Sequence, residues 1–197
     1  MPSYSIKFNV AGIIEKTVRA TNKAGFPIAQ QKANLDYLNA RTKFLEEFED
    51  SKVTQEIEAG ESSLDFSGAT QDYGNLYSFL GFENGRKPIS ELRDILNTIS
   101  IRYTIFRYNT WYFRVNTPSK EIIEETTHSD WGDGESWISH VEGGLSNLAN
   151  YLYVKDRGRS LHAVQAPHEI NDDLVFEPQQ YLTKMFKNFR ENIYRSQ

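Results

Sequence analysis

The sequence predicts an α+β fold: a long N-terminal amphipathic helix and a C-terminal helix packed on a small curved antiparallel sheet. Two observations carry this. Apolar residues recur at helical spacing near both ends of the chain, and two arms rich in β-branched and aromatic residues alternate around residues 101–115. At 197 residues, the length suits a single domain, 1–197, and a chain of this size buries roughly 70% of its unfolded surface without a staple. Residues 1–27 are read as an N-terminal arm and residues 60–73 as a flexible loop.

Taken in order, Ser3 to Val10 alternates, with Tyr4, Ile6, Phe8 and Val10 on one side. That pattern is a half-buried strand. Gly12 and the polar residues after it indicate a turn or the start of a helix. From Ala29 to Asp50 the period becomes helical. Leu35, Leu38, Leu45 and Phe48 form the stripe, and Ala33, Tyr37, Ala40 and Phe44 broaden it. Weak helical character continues over Thr54–Ala59 until Gly60 stops it. Glu61 to Asp72 is small and polar, which marks a loop.

The segment Gly74 to Pro88 reads Gly-Asn-Leu-Tyr-Ser-Phe-Leu-Gly-Phe-Glu-Asn-Gly-Arg-Lys-Pro. Leu76, Tyr77, Phe79, Leu80 and Phe82 must be covered, and Gly74, Gly81 and Gly85 let the backbone turn where a Cβ would clash. A segment of this kind is either core or a surface meant to be buried against a partner.

Pro88 to Ile99 is a second helix, apolar along Ile89, Leu92, Ile95, Leu96 and Ile99. A hairpin follows. Ile101, Tyr103, Ile105 and Arg107 alternate with Arg102, Thr104, Phe106 and Tyr108, Asn109-Thr110 offers the turn, and Trp111 to Val115 returns. Pro118-Ser119 opens a short charged helix through Thr126. Trp137 to Glu142 reads as one or two helical turns ended by Gly143-Gly144. Leu148 to Val154 reads as a strand, and one helix over 136–152 fits the spacing equally well. Pro178 to Tyr194 closes the chain as a helix with Leu182, Met185, Phe186, Phe189 and Ile193 on one face.

Composition narrows the function. The absence of cysteine excludes disulfides, thiol catalysis and cysteine-ligated zinc. A net charge of -5 argues against a dedicated nucleic-acid binder. No apolar run reaches the roughly 20 residues of a membrane span, and the N-terminus lacks a signal peptide's apolar core. The expectation is a protein that neither enters a membrane nor follows the general secretory route. Eleven tyrosines and three tryptophans are many for this length. They fit interfaces, where such side chains cover area and keep a polar tip, and they fit an aromatic core equally well.

The candidate chemistry is thin. His128, Asp130, Asp133, Glu135 and His140 lie within thirteen residues, but their spacing matches neither a calcium-loop nor a zinc-helix pattern. A solvated turn accounts for them. Glu124 and Glu125 with Asp130 form a carboxylate group of the kind any acidic surface offers. Ser146 in Gly-Leu-Ser-Asn-Leu lacks the second glycine of a nucleophile elbow. Arg157 and Arg159 around Gly158 suit a phosphate or a partner's carboxylate. No phosphate-binding glycine loop is present. No catalytic residue, cofactor or metal is expected.

Several pieces in order are Phe48-Glu49-Asp50-Ser51-Lys52-Val53-Thr54-Gln55-Glu56-Ile57, Gly74 to Gly81, Ser136-Trp137 with Glu142-Gly143-Gly144, Arg159-Ser160 with Val164-Gln165, and a final helix from Tyr181-Leu182. Together this arrangement resembles virion structural proteins of tailed bacteriophages, of the tail-completion or neck (head–tail connector) type. Order and spacing, rather than any one motif, carry the likeness, which departs at Leu161-His162, where the pattern has a small residue. The resemblance implies a non-enzymatic virion protein, assembled in the host cytoplasm. Its copies would form a ring at the head–tail junction or tail end, beside a head-side adaptor or a tail terminator or tube, and an acidic lumen would let DNA pass without sticking. The candidate subunit-interface residues are Leu76, Tyr77, Phe79, Phe82, Trp137, Tyr151, Tyr153, Arg157 and Arg159. The other classes compatible with the sequence are a small metal-dependent hydrolase using the 128–140 cluster and a host-directed adaptor.

Overall fold

The structure is a computed structural model, described for residues 13–19, 25–70, 74–83, 85–129, 136–143 and 179–195. It mixes helix and strand, with seven α-helices and one three-stranded antiparallel sheet among the described residues. The chain groups into two compact units, each assembled from separate stretches. Residues 9–49, 93–123 and 182–197 form a sheet unit; residues 1–8, 50–92 and 124–181 form a loop unit.

In the sheet unit, β1 (Ile13–Arg19), β2 (Ser100–Arg107) and β3 (Thr110–Asn116) pair in the order β1-β3-β2. The hairpin is as the alternation predicts, but its turn falls one residue earlier, at Tyr108-Asn109. Both residues adopt positive φ, 51° and 54°, which gives a turn whose twist matches the strands it joins. Pairing slips between Tyr103 and Ile105. This bulge puts Phe106, rather than Ile105, on the face shared with Ile101 and Tyr103.

The strand at Ile13–Arg19 is a correction, since the sequence reads there as a turn or helix start. Ile14, Lys16 and Val18 face inward, opposite Val115, Phe113 and Trp111. A lysine in the middle inward position hides the period of two. The strand expected at Ser3–Val10 lies outside the described residues.

α1 (Phe26–Glu49) lies on the sheet. Its core stripe is Ala29, Ala33, Tyr37, Ala40, Phe44 and Phe48. The stripe tapers: small Ala29 and Ala33 fit over Trp111 and Phe113, while Phe44 stacks against Phe186 and Phe189 of α7 (Leu182–Arg195), with ring centroids 5.0 and 5.2 Å apart. α7 buries Leu182, Met185, Phe186, Phe189 and Ile193, as its spacing predicts. Leu35 and Leu38, expected in the core stripe of α1, are exposed instead. Large leucines over the bulky Trp111 ring would hold the helix off the sheet, so the alanine side packs down.

Lys16 is fully buried beneath these helices. Its ammonium lies 2.9 Å from Asp36 Oδ2 of α1 and donates to the carbonyl of Ile193 in the last turn of α7, at 2.8 Å. A cation is favoured at that negative helix end. Asp36 Oδ2 is not aligned for a hydrogen bond, so its contact with Lys16 is Coulombic. The Tyr37 hydroxyl donates to the Ile99 carbonyl. Burial raises its pKa, and Arg41 opposes the shift in part.

Arg93 grips Glu49 with two hydrogen bonds, at 2.6 and 2.8 Å. That hydrogen bonding, helped by the arginine charge, lowers the Glu49 pKa against the opposing effect of desolvation. The folded value lies below the unfolded one, so the stabilisation is present at neutral pH. It is lost as the pH falls from the ordinary 4.5 through the lowered value. Glu49 is 42% exposed and water screens the pair, so Glu49→Gln is expected to destabilise by only about 0.5 kcal/mol at pH 7. Denaturant titration at neutral and at acid pH checks this; the difference from wild type should vanish in acid.

In the loop unit, the chain leaves α1 through an extended Ser51 and enters α2 (Lys52–Ala59), which Gly60 ends at φ 76°. After a short 3-10 turn at Gly60–Ser62 comes α3 (Leu76–Phe79), then α4 (Pro88–Asn97), whose first half belongs to the loop unit and second half to the sheet unit. α5 (Lys120–Thr126), likewise divided between the units, and α6 (Trp137–Gly143) sit where the sequence predicts short helices. Of the 136–152 stretch left open between helix and strand, Trp137–Gly143 is helix; beyond Gly143 the stretch lies outside the described residues.

Candidate functional site

The glycine–aromatic segment turns at the three glycines named from sequence. Gly74, Gly81 and Gly85 have φ of 124°, 65° and 87°, a region side chains rarely adopt. Between them Leu76, Tyr77, Leu80 and Phe82 are buried, and Phe79 is half-buried. The Tyr77 hydroxyl donates to the carbonyls of Glu83 and Arg86, at 3.0 and 3.2 Å, which closes the turn. Phe82 meets Tyr77 at 5.2 Å and Trp137 edge-on at 5.9 Å, and Arg86 lies over its outer side. Trp137 continues to Tyr181, whose hydroxyl is hydrogen-bonded to Thr54 Oγ1 at 2.7 Å.

Of the nine interface candidates, Leu76, Tyr77, Phe82 and Trp137 therefore form the interior of the loop unit. An apolar segment with glycine turns reads the same in sequence whether its own chain or another covers it. Phe79 remains partly accessible. Tyr151, Tyr153, Arg157 and Arg159 lie outside the described residues.

A polar clamp beneath this segment was not legible as such. Glu56 of α2 is fully buried. One carboxylate oxygen accepts from the Leu76 amide at 2.6 Å and the other from the Ser67 amide at 2.8 Å. Asn75 caps α3 by accepting from the Ser78 amide, and it donates to the carbonyls of Glu61 and Ser63 at 2.8 and 2.9 Å. The stretch expected as a flexible loop, 60–73, is described as far as Thr70 and is tied at these points.

The 128–140 cluster is described only at its ends. His128 Nδ1 lies 2.9 Å from the Glu125 carbonyl, and His128 bridges Ser136. The Thr127 and Ser136 hydroxyls share a hydrogen bond of 2.7 Å. Asp130, Asp133 and Glu135 lie outside the described residues. No group of three potential metal ligands occurs among the described ones.

What the described surface does offer is apolar and charged area. At about 3.6 residues per turn, Ile28, Leu35 and Leu38 fall on the side of α1 opposite its core stripe, and they are 74%, 53% and 52% exposed. The second surface is the outer face of the sheet. Its rows are Glu15–Arg114–Arg102, Thr17–Tyr112–Ile105 and Arg19–Thr110–Arg107. Most of these side chains are exposed. Ile105 stands there because of the bulge, and its 44% exposure puts an apolar contact amid arginines. These features suit docking. No protein-family model, curated protein or solved structure matches the chain.

Proposed function

We propose that the protein is a non-enzymatic structural subunit that assembles with copies of itself. The setting we propose is a ring at the head–tail junction or tail end of a tailed phage, next to a head-side adaptor or tail terminator or tube, where it serves to join or complete the tail. The observation that carries the assembling role is the second apolar face of α1. A helix that buries one side on its own sheet and leaves Ile28, Leu35 and Leu38 uncovered on the other has a surface suited to another protein. The order of segments from Phe48 to Tyr181 supports the virion setting.

Two tests separate these parts. Quantitative mass spectrometry of gradient-purified particles should find a small, fixed copy number per virion; absence from clean particles overturns the virion setting. Leu35→Glu with Leu38→Glu should weaken self-association on the order of 100-fold, since two half-exposed leucines contribute about 2–3 kcal/mol together when covered. The melting temperature of the monomer should be unchanged. Unaltered self-association in that variant removes α1 from the interface.

A further inference from the structure

The outer face of the sheet holds a charge arrangement that its own neighbours leave unanswered. Arg102 is paired directly with Arg114 across β2 and β3, and like charges opposed in a sheet repel. Glu15, on the other side of Arg114, offsets one of them. Arg19 and Arg107 sit at the end of the same face. The Nε of Arg114 is buried and donates to no described residue. The exposed Arg19, Arg102 and Arg107 each present donors as a fork that fits a carboxylate.

The carboxylates are in the same chain but in the other unit. The sheet unit holds 15 basic and 8 acidic residues, a net charge of +7; the loop unit holds 7 basic and 19 acidic, a net charge of -12. The modest total of -5 is the sum of two sets of segments of opposite charge. Within the loop unit, the chain between α2 and α3 exposes Glu61 beside two apolar side chains, Leu64 at 73% and Phe66 at 43%. An acidic strip with apolar anchors matches a basic face with an apolar centre at Ile105 and Tyr112.

We propose that copies join head to tail, the arginine face of the sheet unit on one copy receiving the Glu61–Phe66 strip of the loop unit on the next. The inference rests on the reading of the protein as a self-assembling subunit and adds which patches meet. Such a pairing of two different patches generates a ring or an open filament. The charge pattern also sets direction, because basic-on-basic and acidic-on-acidic encounters repel while the mixed one attracts. Nucleic acid is the weaker match for this face, since every copy brings the strongly acidic loop unit along with it.

Sedimentation velocity of the full-length chain tests the contact. Wild type should form larger oligomers in about 0.05 M salt than near 1 M, the head-to-tail contact weakening on the order of 100-fold or more. Arg102→Glu with Arg107→Glu spoils only the face; Leu64→Ser with Phe66→Ser spoils only the strip. All four sites are exposed, and circular dichroism checks that both variants fold; Arg102→Gln with Arg107→Gln is the milder substitute. With the α1 face neutralised in both chains by Leu35→Glu and Leu38→Glu, each variant alone should be monomeric. Their equimolar mixture should stop at dimers, because one intact face meets one intact strip and neither chain can extend further. A mixture with no dimer overturns the proposal. So does an Arg102→Glu, Arg107→Glu variant that assembles like wild type, although self-assembly itself would then stand. If wild type never associates at any salt, the assembling role falls with it. If a short DNA duplex binds wild type, and the arginine variant loses that binding but keeps self-association, the face belongs to nucleic acid and the head-to-tail contact is wrong.

Discussion

Replacing Asp36 by alanine is expected to destabilise the sheet unit by about 3–5 kcal/mol, because it leaves the Lys16 ammonium buried without a counter-charge. Lys16 has no exposed surface. Its remaining partner would be the single carbonyl of Ile193, which accepts a hydrogen bond but neutralises nothing. Lys16→Met should cost less, about 1–3 kcal/mol, since it removes the more deeply buried charge and keeps the volume but leaves the mostly buried Asp36 carboxylate unpaired. The two changes remove the same ion pair, so their difference measures the buried charge rather than the pair. Amide exchange in β1, β3 and α1 reads the effect within the unit, without assuming that the whole chain unfolds in one step. Equal losses in the two variants would show that the attraction itself, not the avoided desolvation, holds the contact.

Lys16 also shows where sequence reading stops. α7 was legible because its apolar face is single and its opposite face charged, though it starts at Leu182 rather than at Pro178. The hairpin was legible because both arms are β-branched and aromatic. β1 was not, since the one residue that breaks its alternation is a lysine, and only the carbonyl end of α7 and Asp36 make that lysine tolerable inside. α1 was legible as a helix but not as an oriented one. Its two apolar sides are roughly opposite, and the choice between them depends on Trp111, a residue more than sixty positions away. The same limit governs the candidate site. Leu76, Tyr77, Phe79, Leu80 and Phe82 read as needing cover, and all but the half-buried Phe79 are buried within their own chain. The exposed stripe of α1 and the arginine face follow only once helix orientation and strand register are known, because a residue's neighbours on a sheet come from other strands.

Glu56→Gln is the second change with a large expected effect, about 2–4 kcal/mol on the loop unit, and the reason is geometric. The two carboxylate oxygens of Glu56 each accept one backbone amide, from Leu76 and Ser67. A glutamine keeps one acceptor and turns an amino group toward the other amide, which strands a buried donor. The surviving hydrogen bond also loses its charge assistance. Glu56→Asp retains the charge but is one methylene shorter, so it too should fail to span both amides. Hydrogen exchange gives a reading that a general loss of stability would not produce. The Ser67 and Leu76 amides should lose protection first, followed by the Ser78 amide, because the Asn75 cap is held in place by the Leu76 end of the clamp. Gly74, Gly81 and Gly85 let the chain fold back over its own aromatics, but they leave the backbone loose. The buried carboxylate fixes where that folded segment begins, and through Ser67 it also anchors the strip carrying Leu64 and Phe66. Glu56→Gln should therefore weaken head-to-tail association as well as folding. Leu64→Ser with Phe66→Ser should weaken association alone.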